Sequence, residues 1–284
     1  MKFSCEKFVL QNAIVIASRA AASKSPIPAL EGLLISAGKD VRITGYDLKK
    51  GIYTTIEGEV ERPGEIVVGA RLFGEMIRRM PDGKVTVDTD EKNNVSVKCG
   101  KSEFNFIGIS AEDYPEIPTV EGINNITLPQ KILKNMINQT IFAVSTSDVR
   151  PIYTGVLFEA AGDQLTLVAV DGYRLAKRCE KIENAQLEEC SFVVPGPSLS
   201  DIERICADED GNVEIAVGAK HISFVIGGTV VISRRLEGEF LNYRKSIPSE
   251  FRFKLGVSRA ELMSAIDRVS IIVSEKNSSP VRMT

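Results

Sequence analysis

The feature that most constrains this chain is that it repeats itself. Three segments begin alike: MKFSCEKFVLQNAIVIAS at the start, NITLPQKILKNMINQTIFAVS from Asn125, and FKLGVSRAELMSAIDRVSIIVS from Phe253. Each reads as an alternating strand followed by a helix with apolar residues three and four apart. Those residues are Phe8, Ile14, Ile16 and Ala17 in the first helix, and Ile132, Leu133, Met136, Ile137 and Ile141 in the second. In the third they are Leu262, Ala265, Ile266 and Val269. Lys7, Lys131 and Arg259 fall at equivalent places, about 125 residues apart. Solenoid repeats run only to about 20–45 residues, so these copies are whole domains.

The copies match beyond their starts. EGLLISAGKDVRITGYDLKKG aligns with TGVLFEAAGDQLTLVAVDGYRLAKR, two strands around a short turn at Gly38-Lys39-Asp40 or Gly162-Asp163. In both, the second strand runs into an aspartate, Asp47 or Asp171. Each copy then continues as strand, short amphipathic helix and more strands, closing with AEDYPEIP or LNYRKSIP. Each domain thus reads as two half-units of one helix and several strands. Few short helices against many strands give an α+β fold with helices packed on one side of the sheets. The expected boundaries are 1–121, 122–249 and 250–284. The third copy stops after about 32 residues, too few to bury a core of its own. The sequence therefore reads as two complete domains and the start of a third.

Composition narrows the function. Hydrophobic residues are 43% and charged residues 26% of 284, ordinary for a soluble globular chain. No run approaches the ~20 apolar residues of a membrane helix. The opening is charged at Lys2, Glu6 and Lys7, unlike a signal peptide, so the expected location is cytoplasmic. Five cysteines without a CxxC pair argue against disulfides and zinc, and the lone His221 sits in an alternating, strand-like run. Phosphate-loop, dinucleotide, nucleophile-elbow and HExxH motifs are all missing. No cofactor and no catalytic residue are expected. A net charge of −3 allows nucleic-acid binding only if cations gather on one face. Candidate faces are the first helix with Lys7 and Arg19, the second with Arg71, Arg78 and Arg79 against Glu75, and the third with Lys131 and Lys134. The helix with Asp201, Glu203 and Arg204 is slightly acidic.

Taken together, MKF with its helix, SPIPALEGLLIS, ITGYDL, AEDYPEIP, SDVRPIYTGVLFE, VAVDGYRLA, EGEFLNYRKSIP and SEKNSSPVRM resemble the bacterial DNA polymerase III beta subunit (sliding-clamp) family. They cover the chain from end to end, in the family's order. The resemblance implies a DNA-clamp fold with helices inward and sheets outward. It implies two subunits closing head to tail around duplex DNA, held without sequence readout, and tethering a replicative polymerase. The chain would be a processivity subunit, not an enzyme, and would form a homodimer when its third domain is complete.

The resemblance also implies sites. Lys24 and Arg150 match basic positions in DNA-facing loops, and Arg71 and Lys131 lie on the basic helices. Where many relatives carry basic residues after Val194-Pro195, this chain has Gly196 and Pro197. Polymerase and clamp loader would insert a short peptide beside Tyr153, Val170, Gly172, Tyr173, Arg174, Leu175, Leu241, Lys245 and Ser246. Tyr153 and Leu241 stand where relatives often have Leu and Pro. Independently of the family, DGYRL at a strand end sets an aromatic and a leucine around a glycine that a peptide backbone could approach. The subunit interface would join Phe104 and Phe106 to Ile271 and Ile272. Two other readings stay open on the residues alone. One is a metal-dependent phosphoryl-transfer enzyme with Asp47 and Asp171 as ligands; the other is a scaffold binding only proteins.

Overall fold

The computed structural model describes all residues except 122–123, 183–186, 208–209, 274–280 and 284. The expected boundary after residue 121 and most of the SEKNSSPVRM match therefore lie outside the described residues. Two compact units emerge, Met1–Phe240 and Leu241–Thr284.

In the first unit the duplication shows as element order. The first copy runs β1 (Lys2–Glu6), α1 (Lys7–Ala17), β2 (Gly32–Ala37), β3 (Val41–Tyr46), β4 (Lys50–Ile56), β5 (Glu59–Arg62), β6 (Gly64–Gly69), α2 (Ala70–Arg79), β7 (Lys84–Thr89), β8 (Asn94–Cys99) and β9 (Ser102–Ile107). The second runs β10 (Asn124–Pro129), α3 (Gln130–Asn138), β11 (Gly155–Gly162), β12 (Gln164–Val170), β13 (Leu175–Lys181), β14 (Leu187–Pro195), α4 (Gly196–Ile205), β15 (Asn212–Val217), β16 (His221–Ile226) and β17 (Thr229–Arg234). Among the described residues only β5 lacks a counterpart.

The half-units interlock. β1 leaves its own half to pair with β7, and β6 crosses back to pair with β2. β10 with β15 and β14 with β11 repeat the exchange. Three antiparallel sheets result, ordered β5-β1-β7-β8-β9, β10-β15-β16-β17-β4-β3-β2-β6 and β13-β12-β11-β14. The middle sheet runs through both copies, because β17 pairs with β4 from Thr229↔Thr54 to Ser233↔Lys50.

Alternation explains the strands: β7 buries Val85, Val87 and Thr89, and β8 buries Val95, Val97 and Cys99. Periodicity explains the helices, which pack as pairs α1 with α2 and α3 with α4. α2 buries Ala70, Phe73 and Ile77; α3 buries Leu133, Met136 and Ile137. In α1 the buried stripe is Leu10, Ala13, Ile14 and Ala17. Phe8, expected on that stripe, is instead 73% exposed. Leu10, not Phe8, lies three to four residues before Ala13 and Ile14, so it takes the inward place. Gly32 and Gly155 open β2 and β11 where the chain runs too close for a side chain. A Cβ on Gly32 would lie 2.6 Å from Val67 Cγ1, and one on Gly155 2.5 Å from the Val194 carbonyl oxygen.

The second unit holds a 3-10 turn, Tyr243–Ser246, and α5 (Arg259–Ser270). The Ser258 hydroxyl caps α5 by accepting from the Glu261 N–H at 3.5 Å. α5 fully buries none of its residues; Leu262 and Ala265 are half-buried, and Ile266 and Val269 are each 43% exposed. The strand expected at Phe253 does not form. Phe253, Leu255 and Val257 are exposed and have no ladder partner among the described residues, and an extended segment without one is not held as a strand.

Candidate DNA-facing and partner-binding surfaces

Ion pairing sorts the cations that the sequence puts on helices. Lys7 Nζ is 3.1 Å from Asp82 Oδ1. Arg19 lies beyond α1, in the 3-10 turn Ser18–Ala20, and its guanidinium is 3.6 Å from Asp201 Oδ1. Arg78 and Arg79 share Glu75, at 2.8 and 3.1 Å. Lys7 meets a carboxylate of its own, whereas Arg78 and Arg79 divide one between them and Arg19 shares Asp201 with Lys50. Lys24, Arg71 and Lys131 are exposed, and no carboxylate among the described residues pairs with them. Lys24 lies in the loop after Ala20, Arg71 in the first turn of α2, and Lys131 in the first turn of α3. An uncompensated surface cation is what a phosphate backbone attracts. Arg150 is exposed too, but its guanidinium stands 5.9 Å from the Tyr153 ring, beside the residues expected to take a peptide. Gly196 and Pro197 begin α4 and bring no charge.

The two duplicated aspartates build the same turn. Asp47 Oδ1 accepts from the N–H groups of Lys49 and Lys50, at 2.9 and 2.7 Å. Asp171 Oδ1 accepts from those of Tyr173 and Arg174, at 3.0 and 3.1 Å. Those bonds, with the Arg174 guanidinium on Oδ2 at 2.9 Å, hold the Asp171 carboxyl below the usual carboxylate range. The pair that could have read as metal ligands thus orders two separate loops, and among the described residues no three His, Cys, Asp or Glu side chains gather as a metal would need.

The Asp171 turn carries most of the expected peptide site. Val170 is buried, Leu175 is half-buried, and Gly172, Tyr173 and Arg174 are exposed, Tyr173 completely. Arg174 lies 5.8 Å from the ring of Phe142, which is 57% exposed in a 3-10 turn, Ile141–Ala143. The Ser145 N–H, just past that turn, donates to the Tyr153 carbonyl at 2.8 Å. Tyr153 meets Phe240 edge to face, centroids 5.5 Å apart. Phe142 and Phe240 therefore border the site although sequence reasoning passed over them. Phe142 read as the tail of α3, inside the apolar run 141–144, where nothing marked it as exposed. Leu241, Lys245 and Ser246 belong to the second unit, all exposed, the last two in its 3-10 turn.

β9 is a sheet edge. Phe104 is 37% exposed; Phe106 is half-buried, with its ring 6.5 Å from Phe73. Ile271 and Ile272, just after α5, are 83% and 73% exposed. His221 is a half-buried strand residue in β16, held below its ordinary pKa by burial and by Arg234 and Lys220. No helix among the described residues is long and apolar enough to cross a membrane.

Residues 1–118 match the N-terminal domain of the DNA polymerase III beta subunit family, and residues 127–242 match its central domain. The beta sliding clamp of Bacillus subtilis is 33% identical over 293 residues, covering all of this chain and 78% of its own length. That of Synechocystis is 29% identical, over 98% of this chain and 76% of its own. The crystal structure of the Bacillus subtilis DNA polymerase sliding clamp superposes with a TM-score of 0.93, at 33% identity, over 97% of this chain and 75% of that one. With its two duplicated copies matched in turn by the N-terminal and central domain models, and a relative 33% identical along its whole length, the chain belongs to the DNA polymerase III beta subunit family.

Proposed function

We propose that this protein is a DNA sliding clamp that encircles duplex DNA and keeps a replicative polymerase on its template. It catalyses no reaction of its own. The observation that carries the reading is the edge-to-edge joining of duplicated domains through one continuous sheet, with exposed cations on two helices and a loop that pair with no carboxylate among the described residues. Such a joint links the copies without fixing any base-reading element. Lys24, Arg71 and Lys131, which pair with no carboxylate among the described residues, offer charge to phosphates, which hold DNA without reading sequence. The domains are taken as 1–121, 122–249 and 250–284.

In this reading a short peptide from the polymerase or the clamp loader docks at Tyr153, Val170 and Gly172–Leu175, together with Leu241, Lys245 and Ser246. The apolar Leu175 and the aromatics Tyr153 and Phe142 support a hydrophobic anchor there. Arg150 serves this site or the DNA from its place over Tyr153. The subunits meet through Phe104 and Phe106 of one copy and Ile271 and Ile272 of another, apolar surfaces suited to an interface core. Residence is cytoplasmic.

Retention on DNA tests the proposal. Loaded onto nicked circular DNA by its cognate loader, the protein should stay bound through gel filtration, and cutting the circle once should release it. Equal retention on circular and linear DNA would refute encirclement.

A further inference from the structure

The joint between the two copies contains a charge cluster. Asp201, on α4 of the second copy, is 8% exposed, and its Oδ2 takes the ammonium of Lys50 from β4 of the first. Lys50 is itself only 9% exposed. Arg19, also from the first copy, lies 3.6 Å from Oδ1. Around these ions the seam is otherwise ordinary. β17 and β4 form their ladder, the Thr54 and Thr229 hydroxyls share a hydrogen bond of 3.0 Å, and Ala20 and Ile52 of the first copy lie buried in the core of the second.

The sixth residue of α2, Glu75, corresponds to Asp201, the sixth of α4. Among the described residues Glu75 pairs only with Arg78 and Arg79 of its own helix. A carboxylate at this place is therefore not a requirement of the repeat. In the second copy it is directed across the seam.

We infer that Asp201 is a positioning residue that locks the two copies together by holding Lys50 and Arg19 at one register of the β17–β4 ladder. Without its charge, the ammonium of Lys50 and the guanidinium of Arg19, both on the first copy's side of the seam, lose the one carboxylate that the described residues of the second copy bring to them. A buried ion left without its partner is costly, whereas replacing the whole pair by apolar groups is often tolerated. The seam should thus open locally while both cores stay intact. This inference makes no use of DNA binding and can fail independently of the clamp reading.

Hydrogen exchange on the whole chain tests it, comparing the wild type with Asp201→Asn, Glu75→Gln and the double variant Lys50→Met/Asp201→Leu. In Asp201→Asn, amides of β4 and β17 should exchange at least about tenfold faster, while the β7–β8 and β11–β12 ladders keep their rates. Glu75→Gln should leave the seam unchanged, and the double variant should restore its protection. Unchanged seam exchange in Asp201→Asn, or equal acceleration in every ladder, would overturn the inference. Should Asp201→Asn fail to fold, the double variant decides: native seam protection supports the lock, and failure to fold in the same way refutes it.

Discussion

Leu48 and Gly172 stand at the same place in the two aspartate turns and share a positive φ, 70° and 95°. One copy meets the demand with glycine; the other forces a branched side chain into it. The left-handed region costs a non-glycine residue about 1–2 kcal/mol. Around Gly172 a Cβ would meet nothing within 4 Å, so only the backbone term applies. Gly172→Ala should destabilise the protein by about 1 kcal/mol. Leu48→Gly should be neutral to slightly stabilising, since glycine's extra chain entropy takes back about 0.5–1 kcal/mol. Gly155→Ala, with its Cβ driven into a carbonyl, should cost roughly 2–4 kcal/mol. Urea unfolding of the three variants gives the order directly.

Peptide binding should depend on the Asp171 turn. Titrated with a short polymerase-derived peptide carrying an apolar anchor, Leu175→Asp should lose at least about tenfold in affinity, since burying one large apolar side chain contributes about 1.5–3 kcal/mol. Phe142→Ala should lose less. Wild-type affinity in Leu175→Asp would remove this turn from the site.

Acid should open the same turn. The Asp171 carboxyl is held below its ordinary value of 3.8, so its contribution is complete above that value and is lost as pH falls through the lower, folded one. The Tyr173 and Arg174 amide resonances should move together in that window. In Asp171→Asn the movement should vanish; its persistence would assign it to another group.

Phosphate contacts set the salt dependence of DNA retention. Arg71→Ala and Lys131→Ala should each lower the slope of log K against log salt by about 0.9 if one phosphate contact is lost. Arg79→Ala, whose guanidinium shares the Glu75 carboxylate with Arg78, should change it less.

The thiols should divide by burial. Burial raises Cys5 to about 12 and Cys206 to about 11, leaving almost no thiolate at neutral pH. Cys179 and Cys190, both half-buried, should be alkylated first. Mass spectrometry of partly alkylated native protein would show the order, and early labelling of Cys5 would contradict it.

Much of this was legible in the sequence because duplication let each copy check the other. Asp47 and Asp171 each looked ambiguous between a ligand and a turn; paired with their identical bonding, they read as turns. The basic helix faces were only half legible. Composition counts Lys7, Arg19, Arg78 and Arg79 equally with Arg71 and Lys131; Glu75 beside Arg78 and Arg79 is readable within one helix, but only folding brings Asp82 to Lys7 and Asp201 to Arg19. Phe8 was misplaced because a three-to-four spacing fits two registers in a helix of eleven residues, and tertiary packing chose between them. Lys50 and Asp201 were invisible as a pair. They stand 151 positions apart, and no local pattern marks two residues that meet only when one domain lies against the next.

The exchange of β1 and β6 between half-units has a historical reading. Each half gives its first strand to the other and receives one in return, as two short identical chains would on forming a swapped pair. A half-unit cut free would lose a strand from its own sheet and leave a gap in its neighbour's. It could therefore survive alone only by finding a second copy of itself. The domain is connected as such a couple would be with its ends tied, which makes the whole domain, not the half, the smallest piece whose strands are all paired within it.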